Sequence, residues 1–231
     1  MLYKDYKIIY EKITKDLGIQ TEDDEKASMI LNNLLQDKNL LSDGVLKSLI
    51  EGNEVFIFGA GPSLETTLDF HKKALENKIL IVADGTTSAL LKNDILPDII
   101  VTDLDGKVSD QIKANSKGSI VVIHAHGDNI DKIERYVPEF KNKIVGTTQI
   151  NPEPYNNLHN FFGFTDGDRA IYLADHFNAK KIDLIGFDFN GKIGKYSFAK
   201  NKDETQKLKK LKWCKYFIEL LIKENKNINY L

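Results

Sequence analysis

The chain has 231 residues, 34 acidic and 32 basic side chains, and a formal net charge of −2. Hydrophobic residues make up 42% and charged residues 29%, which suits one globular core with a small appendage and excludes a disordered chain. That balance argues against a nucleic-acid binder, which needs net positive charge or a concentrated basic patch. The apolar runs are strand-length, far short of a membrane span. A single cysteine, Cys214, rules out an intrachain disulfide or a multi-cysteine metal site. Together with the mixed charges of residues 1–15, which lack the apolar core of a signal peptide, it points to a reducing cytoplasm. Two asymmetries lie under the balanced charge. Only Arg135 and Arg169 are arginines, and 21 of the acids are Asp, many in short glycine-containing runs.

Residues 1–50 read as a small helical N-terminal region. Tyr6, Ile9, Tyr10 and Ile13 recur at helical spacing, as do Ile30, Leu31, Leu34 and Leu35. Thr21 followed by Asp24 resembles a helix start. From residue 54 the pattern changes. Apolar runs at 54–58, 79–83, 98–102, 119–123, 143–146 and 182–187 alternate with helical stretches. Near-continuous Val/Ile/Leu runs fit strands buried on both faces. Their alternation with helices implies right-handed βαβ units and an α/β fold with a mostly parallel sheet of about six strands. The chain would close on a long amphipathic helix over 203–226.

In such a sheet ligands bind beyond the carboxyl ends of the strands, and that is where this sequence keeps its unusual residues. The first strand is followed by Gly59-Ala60-Gly61-Pro62-Ser63, the second by Asp84-Gly85-Thr86, the third by Asp103-Leu104-Asp105-Gly106. The fourth is followed by His124-Ala125-His126-Gly127-Asp128-Asn129. A longer connection ends in Thr165-Asp166-Gly167-Asp168-Arg169, and Asp188 follows the last strand. The glycine turn opening a helix offers free N–H groups to phosphate, although a tight turn needs small residues in any case. On an extended segment Asp103 and Asp105 would point the same way and share a hard divalent cation such as Mg²⁺. Helix capping by one of them is the plainer alternative. Of Asp166 and Asp168, at least one caps the helix that they open. Arg169 suits phosphate oxygens or a neighbouring carboxylate. His124 and His126 suggest substrate, phosphate or metal contact, or an ordinary satisfied polar role.

These motifs resemble two related families. Ala83-Asp84-Gly85-Thr86, the Pro97-Asp98 before a strand and the Asp103-Leu104-Asp105 loop are similar to thiamin pyrophosphokinases. Thr86 and Gly106 depart from that pattern, which tells against a thiamin acceptor. The closer resemblance is to the archaeal 6-hydroxymethyl-7,8-dihydropterin pyrophosphokinase family. It rests on Gly59-Ala60-Gly61-Pro62-Ser63-Leu64, Thr102-Asp103-Leu104-Asp105-Gly106, His124 to Asn129, Phe164 to Arg169, and Gly186-Phe187-Asp188-Phe189. The resemblance covers about residues 50–231.

It implies a Rossmann-like catalytic domain over 51–231 that transfers pyrophosphate from ATP to a reduced pterin with Mg²⁺. By this resemblance Asp103 and Asp105 hold the metal, with Asp166 or Asp168 as a further ligand. Gly59, Gly61, Pro62, Ser63, Gly85, Thr86 and Arg169 border the phosphates, and Lys192, Lys195 and Lys200 close over them. His126 or Asp128 takes the alcohol proton. Asp84, Asp128, Asn129 or Asp188 meets the pterin edge. A homodimer is a further expectation of the resemblance, with no nucleic-acid or membrane partner. A thiamin-type enzyme, a nucleotide-binding protein without turnover and a glycosyltransferase-like protein are the alternatives.

Overall fold

The computed structural model describes residues 1–197, 204–224 and 226–231. Lys200, and residue 203 at the expected start of the last helix, lie outside the described residues. Three helices come first: α1 (Tyr3–Leu17), α2 (Thr21–Leu34) and α3 (Asp43–Ile50). Gly18 ends α1 at φ +68°, a left-handed position that suits glycine, and its N–H donates to Thr14 O. The chain then alternates: β1 (Glu54–Phe58), α4 (Leu64–His71), β2 (Ile79–Ala83), α5 (Thr86–Lys92), β3 (Ile99–Thr102) and α6 (Val108–Ser116). Next come β4 (Ile120–Ala125), α7 (Ile130–Tyr136), β5 (Ile144–Thr148), β6 (Leu158–His159), α8 (Asp166–His176) and β7 (Lys181–Ile185). The chain finishes with α9 (Glu204–Lys223) and β8 (Ile228–Tyr230).

The strands form one parallel sheet of eight, in the order β6-β5-β4-β3-β2-β1-β7-β8. Six of the eight were expected. The other two are β6, only two residues long, and β8, an edge strand after α9 whose Ile-Asn-Tyr carries little apolar signal.

Alternate residues of each strand feed two cores. Val55, Ile57, Ile81, Val101 and Val122 pack on one face with α1, α3, α8 and α9. Phe56, Phe58, Val82, Ile100 and Ile123 pack on the other with α2 and α4 to α7. Burial on both faces explains why the strands read as continuous apolar runs. Residues 1–50 contribute to both cores, through Tyr6, Tyr10, Ile13, Leu46 and Ile50 on one side and Ala27, Leu31 and Leu35 on the other.

Strands β1 to β6 progress in one direction, whereas β7 returns to the far side of β1. The order therefore reverses between β1 and β7, and a crevice must open at their carboxyl ends. The turns that border it are tightly meshed. A Cβ at Gly59 would lie 2.7 Å from Gly186 O, so only glycine lets these two strand ends approach.

Candidate active site

A cavity of about 660 Å³ occupies the carboxyl end of the sheet, within the usual range for small-molecule sites. Gly59, Gly61, Asp84, Gly85 and Asp103 line it, as do Asp105, His126, Asp128, Asp166, Arg169 and Asp188. These residues come from six different loops, which the parallel sheet gathers at one end.

At its centre stand Asp84 after β2, Asp103 after β3 and Asp166 opening α8. Each offers a carboxylate oxygen within 4.8 Å of the others. Asp84 sits at φ +41° and accepts from Thr102 Oγ1 at 2.7 Å and Gln111 Nε2 at 2.9 Å. His126 Nε2 lies 3.2 Å from Asp103 Oδ2. The Asp128 N–H donates to His126 Nδ1 at 3.3 Å, so in the neutral ring the proton belongs on Nε2, facing Asp103.

Burial, with Asp103 beside it, pushes the Asp84 carboxyl up to about 6. Asp166 is raised well above its ordinary value by burial and then by Asp103 and Asp84. Crowded carboxylates that resist ionisation in this way suit a bound cation. Asp166 Oδ1 is buried and makes no hydrogen bond; its nearest cation is Arg169 Nη1 at 3.5 Å. All three donors are hard oxygens, which fits Mg²⁺ and its preference for a few carboxylates plus substrate phosphates.

The spacing of Asp103 and Asp105 led to a different pair. β3 stops at Thr102, and Leu104 turns at φ +66° with its side chain buried. The segment is not extended, so the alternation that grouped the two aspartates does not apply, although both line the cavity. Asp105 pairs with Lys132 Nζ on α7. The carboxylates grouped with Asp103 within 4.8 Å are Asp84 and Asp166.

The remaining expected residues divide by position. Asp168 accepts from Phe164 N at 2.6 Å, Thr165 N at 2.8 Å and Thr165 Oγ1, forming the capping box of α8. Burial raises its pKa, yet its oxygens are committed to the backbone. Thr86 is buried and donates to Phe58 O and Ala83 O. Pro62 and Ser63 stand outside the cavity wall. Ser63 N and Oγ donate to Asp188 Oδ2 at 2.9 and 2.8 Å, so a side chain already satisfies that helix start. Lys192 lines the cavity, whereas Lys195 pairs with Glu65 away from it.

Asn129 donates to Asp103 O at 2.9 Å and His124 O at 2.7 Å, which locks the loop rather than facing a ligand. His124 is buried, held to Thr147 Oγ1 at 3.0 Å, and burial keeps its pKa well below the usual value.

Several cavity residues carry no local sequence signal. Lys207 and Lys210 reach the cavity from α9, and Gln149 from beyond β5. Asp24 reaches it from the first turn of α2. Gln149 Oε1 accepts from Arg169 Nη2 at 2.9 Å, while its Nε2 donates to Asp24 Oδ1 at 2.9 Å. The expected strand end at residue 146 hid Gln149. Asp24 sits in an acidic first turn with Glu22 and Asp23, which reads as ordinary helix-dipole chemistry. Among the described residues, no helix is long and apolar enough to cross a membrane.

Comparison with known proteins gives a consistent answer. A family model described as "6-hydroxymethylpterin diphosphokinase MptE-like" matches residues 29–194. A 6-hydroxymethyl-7,8-dihydropterin pyrophosphokinase of Methanocaldococcus jannaschii is 46% identical, over 99% of this chain and 98% of the relative. A protein of the same name from Pyrococcus furiosus is 43% identical over 96% and 94%. Another from Methanothermobacter thermautotrophicus is 44% identical over 81% and 79%.

Proposed function

Since this chain belongs to the 6-hydroxymethylpterin diphosphokinase MptE-like family, we propose that it transfers a diphosphoryl group from ATP to the hydroxymethyl oxygen of 6-hydroxymethyl-7,8-dihydropterin. The products are AMP and the pterin diphosphate. The observation that carries this reading is the Asp84–Asp103–Asp166 group at the reversal of strand order, with Arg169 Nη1 3.5 Å from Asp166. Magnesium, bound by those three carboxylates together with phosphate oxygens, would neutralise charge on the polyphosphate.

The chain's own residues account for the rest. Arg169 presents a fork of donors toward oxygens beside Asp166, as phosphate recognition requires. Lys192, Lys207 and Lys210 ring the same cavity and balance the charge of a nucleotide triphosphate. His126, with its Nε2 proton toward Asp103, anchors that carboxylate instead of accepting a proton. Asp128, on the cavity wall beside the His126 turn, is the carboxylate we assign to the alcohol proton. In-line attack on the β-phosphorus needs little further covalent help, because positioning and charge neutralisation supply most of the catalysis.

The test is an acceptor screen. The protein is incubated with ATP, Mg²⁺ and either the reduced pterin or thiamin, and AMP is counted. AMP formation that depends on the pterin is expected. Equal turnover of thiamin would sink the pterin assignment, and no AMP with any acceptor would sink the enzymatic one.

A further inference from the structure

We propose that Asp24, carried by the N-terminal helices, is a positioning residue for the reaction, holding Arg169 through Gln149 and the His126 turn through Gly127. Its place is unusual for an acid in the first turn of a helix. Such acids ordinarily stay in water and interact weakly with the helix dipole, as the exposed Glu22 and Asp23 do here. Asp24 is wholly buried. A buried carboxylate needs a full set of donors, and it has them. The Tyr10 hydroxyl donates to Oδ2, while Gln149 Nε2 at 2.9 Å and Gly127 N at 2.8 Å donate to Oδ1. Burial and the neighbouring carboxylate raise the Tyr10 phenol well above its usual pKa, so it stays a donor.

The three donors lead to two parts of the active site. Gln149 is an adapter: its amide N–H faces the carboxylate and its carbonyl accepts from Arg169 Nη2 at 2.9 Å. One amide thereby joins an anion to a cation, and Arg169 in turn stands beside Asp166. Gly127 begins the turn that carries His126, whose Nε2 meets Asp103. Asp24 is thus linked to two of the three triad carboxylates by separate routes.

The approach is close by construction. A Cβ at Gly127 would lie 2.5 Å from Asp23 Cβ, so glycine is what lets the turn rest on α2. Ser28 and Thr148 seal the contact with a 2.7 Å hydroxyl pair, and Ser28 Oγ also donates to Asp24 O. Displacing a phosphate-gripping group by about 1 Å costs on the order of 100-fold in rate. A network fixed from outside the sheet is what prevents such drift.

This inference rests on the reading of Arg169 as a phosphate-holding group, so the experiment includes that residue. AMP release from ATP and the pterin is measured for wild type, Asp24→Leu, Gln149→Met, the double variant and Arg169→Lys, with thermal unfolding of each. Asp24→Leu keeps about the size of the side chain and removes both acceptor oxygens, whereas an asparagine oxygen at Oδ1 would keep the bonds from Gln149 and Gly127. Gln149→Met removes the adapter and leaves the Tyr10 and Gly127 bonds to Asp24.

We expect both single variants to lower kcat about 10- to 100-fold. The KM for ATP should change less than about threefold. The double variant should be no slower than the worse single, because both break one chain of contacts. Unchanged kcat in the folded fraction of either single variant, or losses that multiply in the double, would overturn the proposal. Should Asp24→Leu fail to fold, Gln149→Met decides alone. A severe Arg169→Lys defect with normal Asp24→Leu and Gln149→Met removes only the positioning role. A normal Arg169→Lys removes the phosphate reading as well.

Discussion

The crowding of Asp84, Asp103 and Asp166 predicts that the metal-free protein gains stability when one of these charges is removed. Asp84→Asn is the clearest case. Its Oδ1 accepts from Thr102 and Gln111, and an asparagine oxygen keeps both bonds, so the substitution removes the charge with little change of shape at the cost of the Gly106 N–H contact with the carboxylate. The Asp84 carboxyl is raised from its ordinary 3.8 to about 6 in the folded chain. The folded state therefore holds its proton more tightly than the unfolded state does. Stability from this group is present at low pH and is lost as pH rises from about 4 to about 6.

At roughly 1.4 kcal/mol per pH unit the loss is about 3 kcal/mol. Asp84 is only partly buried against the cavity, and solvent reduces the figure to about 1–3 kcal/mol. For a chain of this size each kcal/mol moves Tm by about 2–4 °C. Melting in EDTA at pH 5 and pH 7.5 tests the argument. Wild type should melt lower at pH 7.5 relative to Asp84→Asn, by about 2–12 °C, with the gap narrowing at pH 5, midway through that window. Added Mg²⁺ should raise the Tm of wild type well above its effect on the variant, and the variant should release little AMP. A variant that melts below wild type in EDTA at pH 7.5, or an equal Mg²⁺ shift in both, would show that the three carboxylates do not form one cation site.

Other substitutions separate residues that the sequence grouped together. Asp168→Ala, which strips the α8 capping box, should cost about 1–3 kcal/mol in urea unfolding while Mg²⁺ still raises the Tm of the variant. Lys192→Ala should raise the KM for ATP several-fold in steady-state assays, whereas Lys195→Ala, which breaks an exposed pair with Glu65 and a contact over the Tyr196 ring, should stay within about twofold. Gly127→Ala should lower kcat about tenfold or more, because its Cβ drives the His126 turn away from α2; a wild-type kcat would show that this close approach is dispensable.

What the sequence disclosed follows from how local each signal is. Strands β1 to β5 and β7 are buried on both faces, so their Val/Ile/Leu runs are continuous and legible. β6 and β8 are short edge elements whose pairing comes from position in the sheet, and no local pattern marks them. Asp103 was legible because it follows a strand. The Asp-Leu-Asp reading assumed an extended backbone, whereas Leu104 at φ +66° turns the chain; the carboxylates grouped with Asp103 are Asp84 and Asp166, and Asp105 lines the same cavity. Asp166 and Asp168 looked equivalent in sequence; the capping box separates them, spending Asp168 on backbone N–H groups and leaving Asp166 to the cavity. Gln149 and Asp24 lie 125 residues apart, and only the packing of α2 beside β5 joins them.

The connection between α1 and α2 has a bearing on how this protein can be divided. Those helices lie in the two opposite cores, so residues 17–20 pass across the carboxyl end of the sheet and form part of the cavity wall. The span matched by the family model starts at residue 29, inside α2 and beyond Asp24. A chain trimmed to that span, or grafted onto another protein from that point, would keep all three triad carboxylates and Arg169. It would lack one wall of the cavity and the carboxylate that braces it. The smallest portable unit of this enzyme is therefore larger than the segment its family shares most recognisably.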